Sequence, residues 1–129
     1  MDTLLLIHSF VRWIIILVAV IIIVKFAISW AANSLFKAMD RGLTSAFSGL
    51  MDLQVLLGLI YLIWDGIAVA GFPAYRIEHG VTMIIAAAVA HFPSRFKNLN
   101  DKLRFQYSLF AVVGSLILVG IGISFLIGH

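Results

Sequence analysis

Two histidines lie a few residues inside long apolar runs, each with an arginine close by in the chain: His8 with Arg12, and His79 with Arg76. An ionisable side chain in such a run is costly to keep from water, so it faces a partner, a cofactor or a water-filled cavity. His8 and Arg12 are four residues apart and share one face of a helix. His8 stands about four residues into its run and His79 about three, which puts both ~5 Å below the same boundary. Two neutral imidazoles on opposite sides of a flat pocket in a helical bundle can hold one haem iron axially. Arginines beside them suit the haem propionates. The pattern therefore predicts a single haem b with His8 and His79 as iron ligands and Arg12 and Arg76 as propionate partners. Gln54 and Tyr61 are the hydrogen-bonding groups expected behind the ligands. The plainer reading is that each histidine bonds across helices near a helix end.

Other chemistries fit less well. The chain has no cysteine, which excludes disulfides, thiolate metal sites, iron–sulfur clusters and covalent haem attachment. A zinc or copper site would draw on His8, His79 and Glu78, an incomplete set, and Glu78 points ~100° away from its neighbour His79 on a helix. There is no nucleophile–base arrangement and no glycine-rich phosphate loop. His91 follows His79 by twelve residues, ~120° round the helix and toward the other membrane face. It is expected at the interface and His129 outside, so a second bis-histidine haem is not expected. Arg12 and Asp52 approach mid-depth from opposite sides and are expected to pair, either as a structural ion pair or as part of a proton relay.

The elements that must position these residues are transmembrane. Of the 129 residues 63% are hydrophobic and 12% charged, where a soluble domain is nearer half and a quarter. The sequence predicts an all-α, transmembrane four-helix bundle forming one domain over 1–129. Its helices should cover about Thr3 to Ile28, Thr44 to Trp64, Arg76 to Phe92 and Phe105 to Ile127. The third is the shortest and is stopped by Pro93. The first lacks a basic leader and a small-residue cleavage site, so it is expected to be retained.

The formal net charge is +3, but the basic residues sit in two short loops rather than on a nucleic-acid-binding face, and no nucleic acid is expected. Lys25, Lys37 and Arg41 mark one loop, and Arg95, Lys97, Lys102 and Arg104 the other. The positive-inside rule makes both loops cytoplasmic and places both termini outside. Residues Ser29 to Leu43 read as an interfacial amphipathic segment, and Trp30, Trp64 and Tyr75 as interfacial anchors.

Helix two carries two polar stripes: Gln54, Gly58, Tyr61 and Asp65 on one face, and Ser45, Ser48 and Asp52 beside it. That places it centrally in the bundle. On helix three Ala86, Ala87, Ala88 and Ala90 allow close approach or room for a flat cofactor. Ala111, Ser115 and Gly122 make helix four a packing helix.

The pattern His8-Ser9-x-x-Arg12-Trp13 resembles small bacterial four-helix membrane proteins often labelled cytochrome b-like. Met51-Asp52-Leu53-Gln54-Val55-Leu56-Leu57-Gly58 on helix two and Glu78-His79 on helix three carry the same resemblance, which spans nearly the whole chain. The large cytochrome b subunit repeats its histidines in pairs on two helices, whereas here each helix offers one, so a two-haem path across the membrane is not implied. The function expected is single-haem electron transfer near the outer leaflet of the bacterial cytoplasmic membrane. Two axial histidines leave the iron no open position for a substrate, so a carrier or subunit is expected rather than a stand-alone enzyme. The alternatives are a non-catalytic accessory subunit of a respiratory or photosynthetic complex, and a small transporter or proton-conducting bundle using Asp52, Arg12 and Glu78. Expected partners are the lipid bilayer and other membrane-complex subunits or further copies of the chain.

Overall fold

The apolar runs become four helices in the computed structural model, which describes residues 2–127. Helix α1 spans Asp2–Ala31, α2 Ala38–Asp65, α3 Ala74–Ala90 and α4 Asp101–Ser124. Each packs against its chain neighbours and α1 also against α4, and among the described residues there is no strand. The fold is all-α. Three helices, α1, α2 with its continuation to Val69, and α4, are long and apolar enough to cross a membrane.

Helix α1 buries Val11, Ile15, Ala19, Ile22 and Phe26 at three- and four-residue steps, the repeat of one helical stripe. Its opposite side exposes Leu6, Phe10, Trp13, Leu17, Val24 and Ile28, a surface compatible with lipid. The buried side chains Ile22, Phe26, Phe47, Phe105 and Val112 fill one end of the bundle. This is the end where α1 turns into α2 and the chain enters α4.

The first connection differs from expectation. Residues 38–43 belong to α2, and 29–31 to α1, so only 32–37 form the loop and no interfacial segment runs from Ser29 to Leu43. The cause is Asp40, fully buried, whose carboxylate accepts the Lys37 backbone N–H at 2.9 Å and pairs with the Lys25 ammonium. An acid in the first turn satisfies free N–H groups and complements the helix dipole, so the helix starts six residues earlier than its apolar pattern. Phe36 is then drawn inward. Its ring meets Phe26 and Phe105 at 5.8 and 5.0 Å between centroids, and the Arg104 guanidinium covers it at 3.9 Å.

Helix α2 ends in a π-helical turn, Gly66–Ala70, closed by the Gly71 N–H donating to the Gly66 carbonyl at 2.9 Å. Gly71 has φ +70°, and glycine meets that backbone without strain. Gly66 leaves the space that the Phe72 ring occupies: a Cβ there would run into the ring. Pro73 caps the start of α3.

Helix α3 is the short element, 17 residues, or about 25 Å. It stops before Pro93, and Phe92–Arg95 form a single 3-10 turn. Ala86, Ala87 and Ala90 are buried, and Ser115 on α4 donates to the Ala86 carbonyl at 2.9 Å. Small residues bring α3 and α4 together here, and Ala111, Ser115 and Gly122 are buried in the same seam. Asn100 caps α4 by accepting the Leu103 N–H at 2.9 Å, so that helix begins four residues before the expected Phe105 and ends three before Ile127.

Candidate cofactor cavity

Toward the end of the bundle away from the phenylalanine cluster, the four helices enclose a cavity of about 260 Å³. Its walls are mainly Leu, Ile, Val and Met side chains from all four helices. Its polar groups are few: His8, Ser9 and Arg12 from α1, Gln54 and Tyr61 from α2, and Arg76 and His79 from α3. All six residues singled out by type and spacing thus line one space. An apolar cavity with a handful of convergent polar groups is the usual form of a ligand site, and its volume falls just below the usual ~300–1,000 Å³.

His8 is seated by α2. Gln54 donates its side-chain amide to the His8 backbone carbonyl at 2.8 Å. Gly58, one turn on, lies against the imidazole, where a Cβ would stand 3.2 Å from Cε1. Nδ1 of His8 and Oε1 of Gln54 are both buried and have no hydrogen-bond partner among the described residues. Buried polar atoms are nearly always satisfied, so two orphans on one cavity call for a partner there, a water or a bound group.

His79 is held from the other side. Its Nδ1 lies 2.8 Å from the Gly122 carbonyl oxygen of α4. A carbonyl only accepts, so Nδ1 carries the proton and Nε2 keeps its lone pair. This is how proteins commonly fix the tautomer and orientation of a metal-binding histidine. Gly80, next in the chain, faces Leu62, one helical turn beyond Gly58 on α2. The two histidines therefore stand within about one turn, ~6 Å, of each other in height.

The two arginines differ. The Arg76 guanidinium is 3.0 Å from the Asp65 carboxylate, with both side chains mostly buried, and lies 5.6 Å from the centre of the Tyr61 ring. It also reaches the Gly71 carbonyl at 3.5 Å. Arg12 makes no ion pair or hydrogen bond among the described residues, and its guanidinium lies 5.3 Å from the centre of the Trp13 ring.

Asp52 does not meet Arg12. Its two carboxylate oxygens lie 2.9 and 2.8 Å from Nε2 of His91, and both side chains are about half exposed on the outside of the bundle. Asp52 and Gln54 are two residues apart, so they point ~200° from one another around α2. Since Gln54 faces α1, Asp52 faces away from it. His129 lies outside the described residues.

Sequence reasoning passed over Asp65, Gly58 and the Gly122 carbonyl as parts of this site. The first two had a signal, since they belong to the same α2 stripe as Gln54 and Tyr61. A backbone carbonyl has none. Among the described residues no three His, Asp or Glu side chains gather as a metal site. Compared with known proteins, the chain matches no family model, no curated protein and no solved structure.

Proposed function

We propose that the protein is a b-type membrane cytochrome that carries one haem between His8 and His79. The observation that supports this reading is the pair of imidazoles from α1 and α3 on one apolar cavity, with the His79 tautomer set by the Gly122 carbonyl. The donor set fits: Nε2 of His79 is free to ligate, and the His8 ring is buried with an unpartnered nitrogen. A macrocycle needs more room than the cavity offers. Met83, unbranched and adaptable, and the exposed rim residues Leu5 and Leu126 are the parts of the wall that would have to move to admit it. When bound, the haem supplies a reversible one-electron couple. The chain's own residues orient the imidazoles and exclude water with the apolar wall.

The purified protein from haem-replete cells is expected to show a Soret band and a sharp reduced α band in its visible spectrum. A colourless protein from such cells would leave the accessory-subunit reading in its place.

The site lies near the outer leaflet of a bacterial cytoplasmic membrane in this proposal, because the basic loops at the opposite end of the bundle stay inside. Met1 and His129 lie outside the described residues, so topology is best read from the connections. A cysteine at Val69, which is 80% exposed, is expected to react with an impermeant thiol reagent added to intact cells, and one at Asn98 is not. The reverse labelling pattern would invert the topology and move the haem to the inner leaflet.

A further inference from the structure

We infer that the cavity recognises its ligand by an acid group seated at Arg12, and that Arg76 takes no part in that recognition. The ligand class is a flat apolar molecule with a carboxylate on its edge, and the flat shape rests on the haem reading above.

The inference comes from an imbalance of charge. Among the described residues the cavity is lined by two arginines and no carboxylate. Arg76 is already neutralised by Asp65 at 3.0 Å, and its remaining surroundings are the Tyr61 ring and the Gly71 carbonyl. Drawing Arg76 toward a ligand would leave Asp65 unpaired in a mostly buried place, a strongly unfavourable exchange. The other nearby acid of α2, Asp52, is turned outward and held by His91. That leaves Arg12, partly buried in an apolar stretch of α1, as a cation with no anion among the described residues. The face of Trp13 offsets only a small part of the cost of keeping it there. A guanidinium in that state binds a carboxylate through a two-point fork, and such charge-assisted pairs are about twice as strong as neutral hydrogen bonds. Arg12 also lies one turn along α1 from His8 on the same face, within reach of a group attached to whatever His8 contacts. Ser9, which lines the cavity beside it and has no hydrogen bond among the described residues, adds a donor for the same acid.

The test separates the acid group from the iron. Metal-free protoporphyrin IX and its dimethyl ester have the same ring, neither offers iron to the histidines, and only the first has free acids. Their fluorescence is titrated with the full-length protein in detergent. The wild-type protein is expected to bind the diacid about ten- to a hundredfold more tightly than the ester. Arg12→Gln should bring the two affinities together. Arg12→Lys, which keeps the charge but loses the fork, should retain part of the preference. The double variant Asp65→Asn/Arg76→Gln removes the other pair as a unit and should retain all of it. Because the readout is a ratio within one variant, a general loss of stability lowers both affinities and leaves the ratio intact. Equal binding of acid and ester by the wild type overturns the inference. So does a preference that survives Arg12→Gln or vanishes in the double variant, and so does failure to bind either porphyrin. If the haem reading alone is wrong, the iron spectrum is missing while the acid preference and its dependence on Arg12 stand.

Discussion

Alanine at either His8 or His79 is expected to abolish the low-spin, bis-histidine absorption spectrum, while His91→Ala leaves it unchanged. The effect is all or nothing because the two imidazoles come from different helices, His8 with its backbone carbonyl held by Gln54 and its ring against Gly58 of α2, and His79 with Nδ1 on the Gly122 carbonyl of α4. Among the described residues no third histidine lines the cavity to replace a lost one. His91 is already engaged by Asp52 on the outer surface of the bundle. Spectra of the reduced proteins at equal protein concentration decide the matter. A normal spectrum in His79→Ala would mean that the second ligand comes from elsewhere, and the proposed site would be wrong.

The second large effect concerns stability. Asp65→Asn or Arg76→Met should lower stability by ~3–5 kcal/mol, because each leaves an uncompensated charge in a mostly buried place. The double change Asp65→Leu/Arg76→Leu should cost less than either single one, since it removes both charges and fills the space with apolar atoms. The side chains are only 11% and 16% exposed, so solvent does little to screen the pair. Thermal unfolding in detergent gives the comparison. Small and equal losses in all three variants would show that the pair is a surface ornament of the α2–α3 turn and not a closure of the bundle.

The helices and the cavity histidines were legible in the sequence for the same reason. Uninterrupted apolar runs are strong signals, and a histidine or arginine inside one is rare and expensive enough to mean something. The pairing of charges was not legible. Placing Arg12 opposite Asp52 rested on depth alone, and the rotation of α2 about its axis is what decides the partner. The stripe containing Gln54, Gly58, Tyr61 and Asp65 held that information, because a helix has room for only one such face toward the cavity. The fate of Arg76 depended on a π-helical turn between Asp65 and Pro73, and such a turn leaves no periodic trace in five residues. The early start of α2 was hidden for another reason: Asp40 finds its cation in Lys25, fifteen residues away on another helix.

The shortness of α3 has a consequence for the membrane itself. At about 25 Å it falls short of a ~30 Å hydrocarbon layer, while the 30 residues of α1 exceed it. Were all four helices to cross such a layer, the mismatch would have opposite sign on two sides of one bundle, favouring a thinner bilayer beside α3 and a tilt of α1. The half-exposed Asp52 and His91 lie where α3 ends, so the thinned side is also where headgroups and water dip to meet charge. In a thicker layer, apolar lipid would meet an imidazole and a carboxylate there, an unfavourable contact for both.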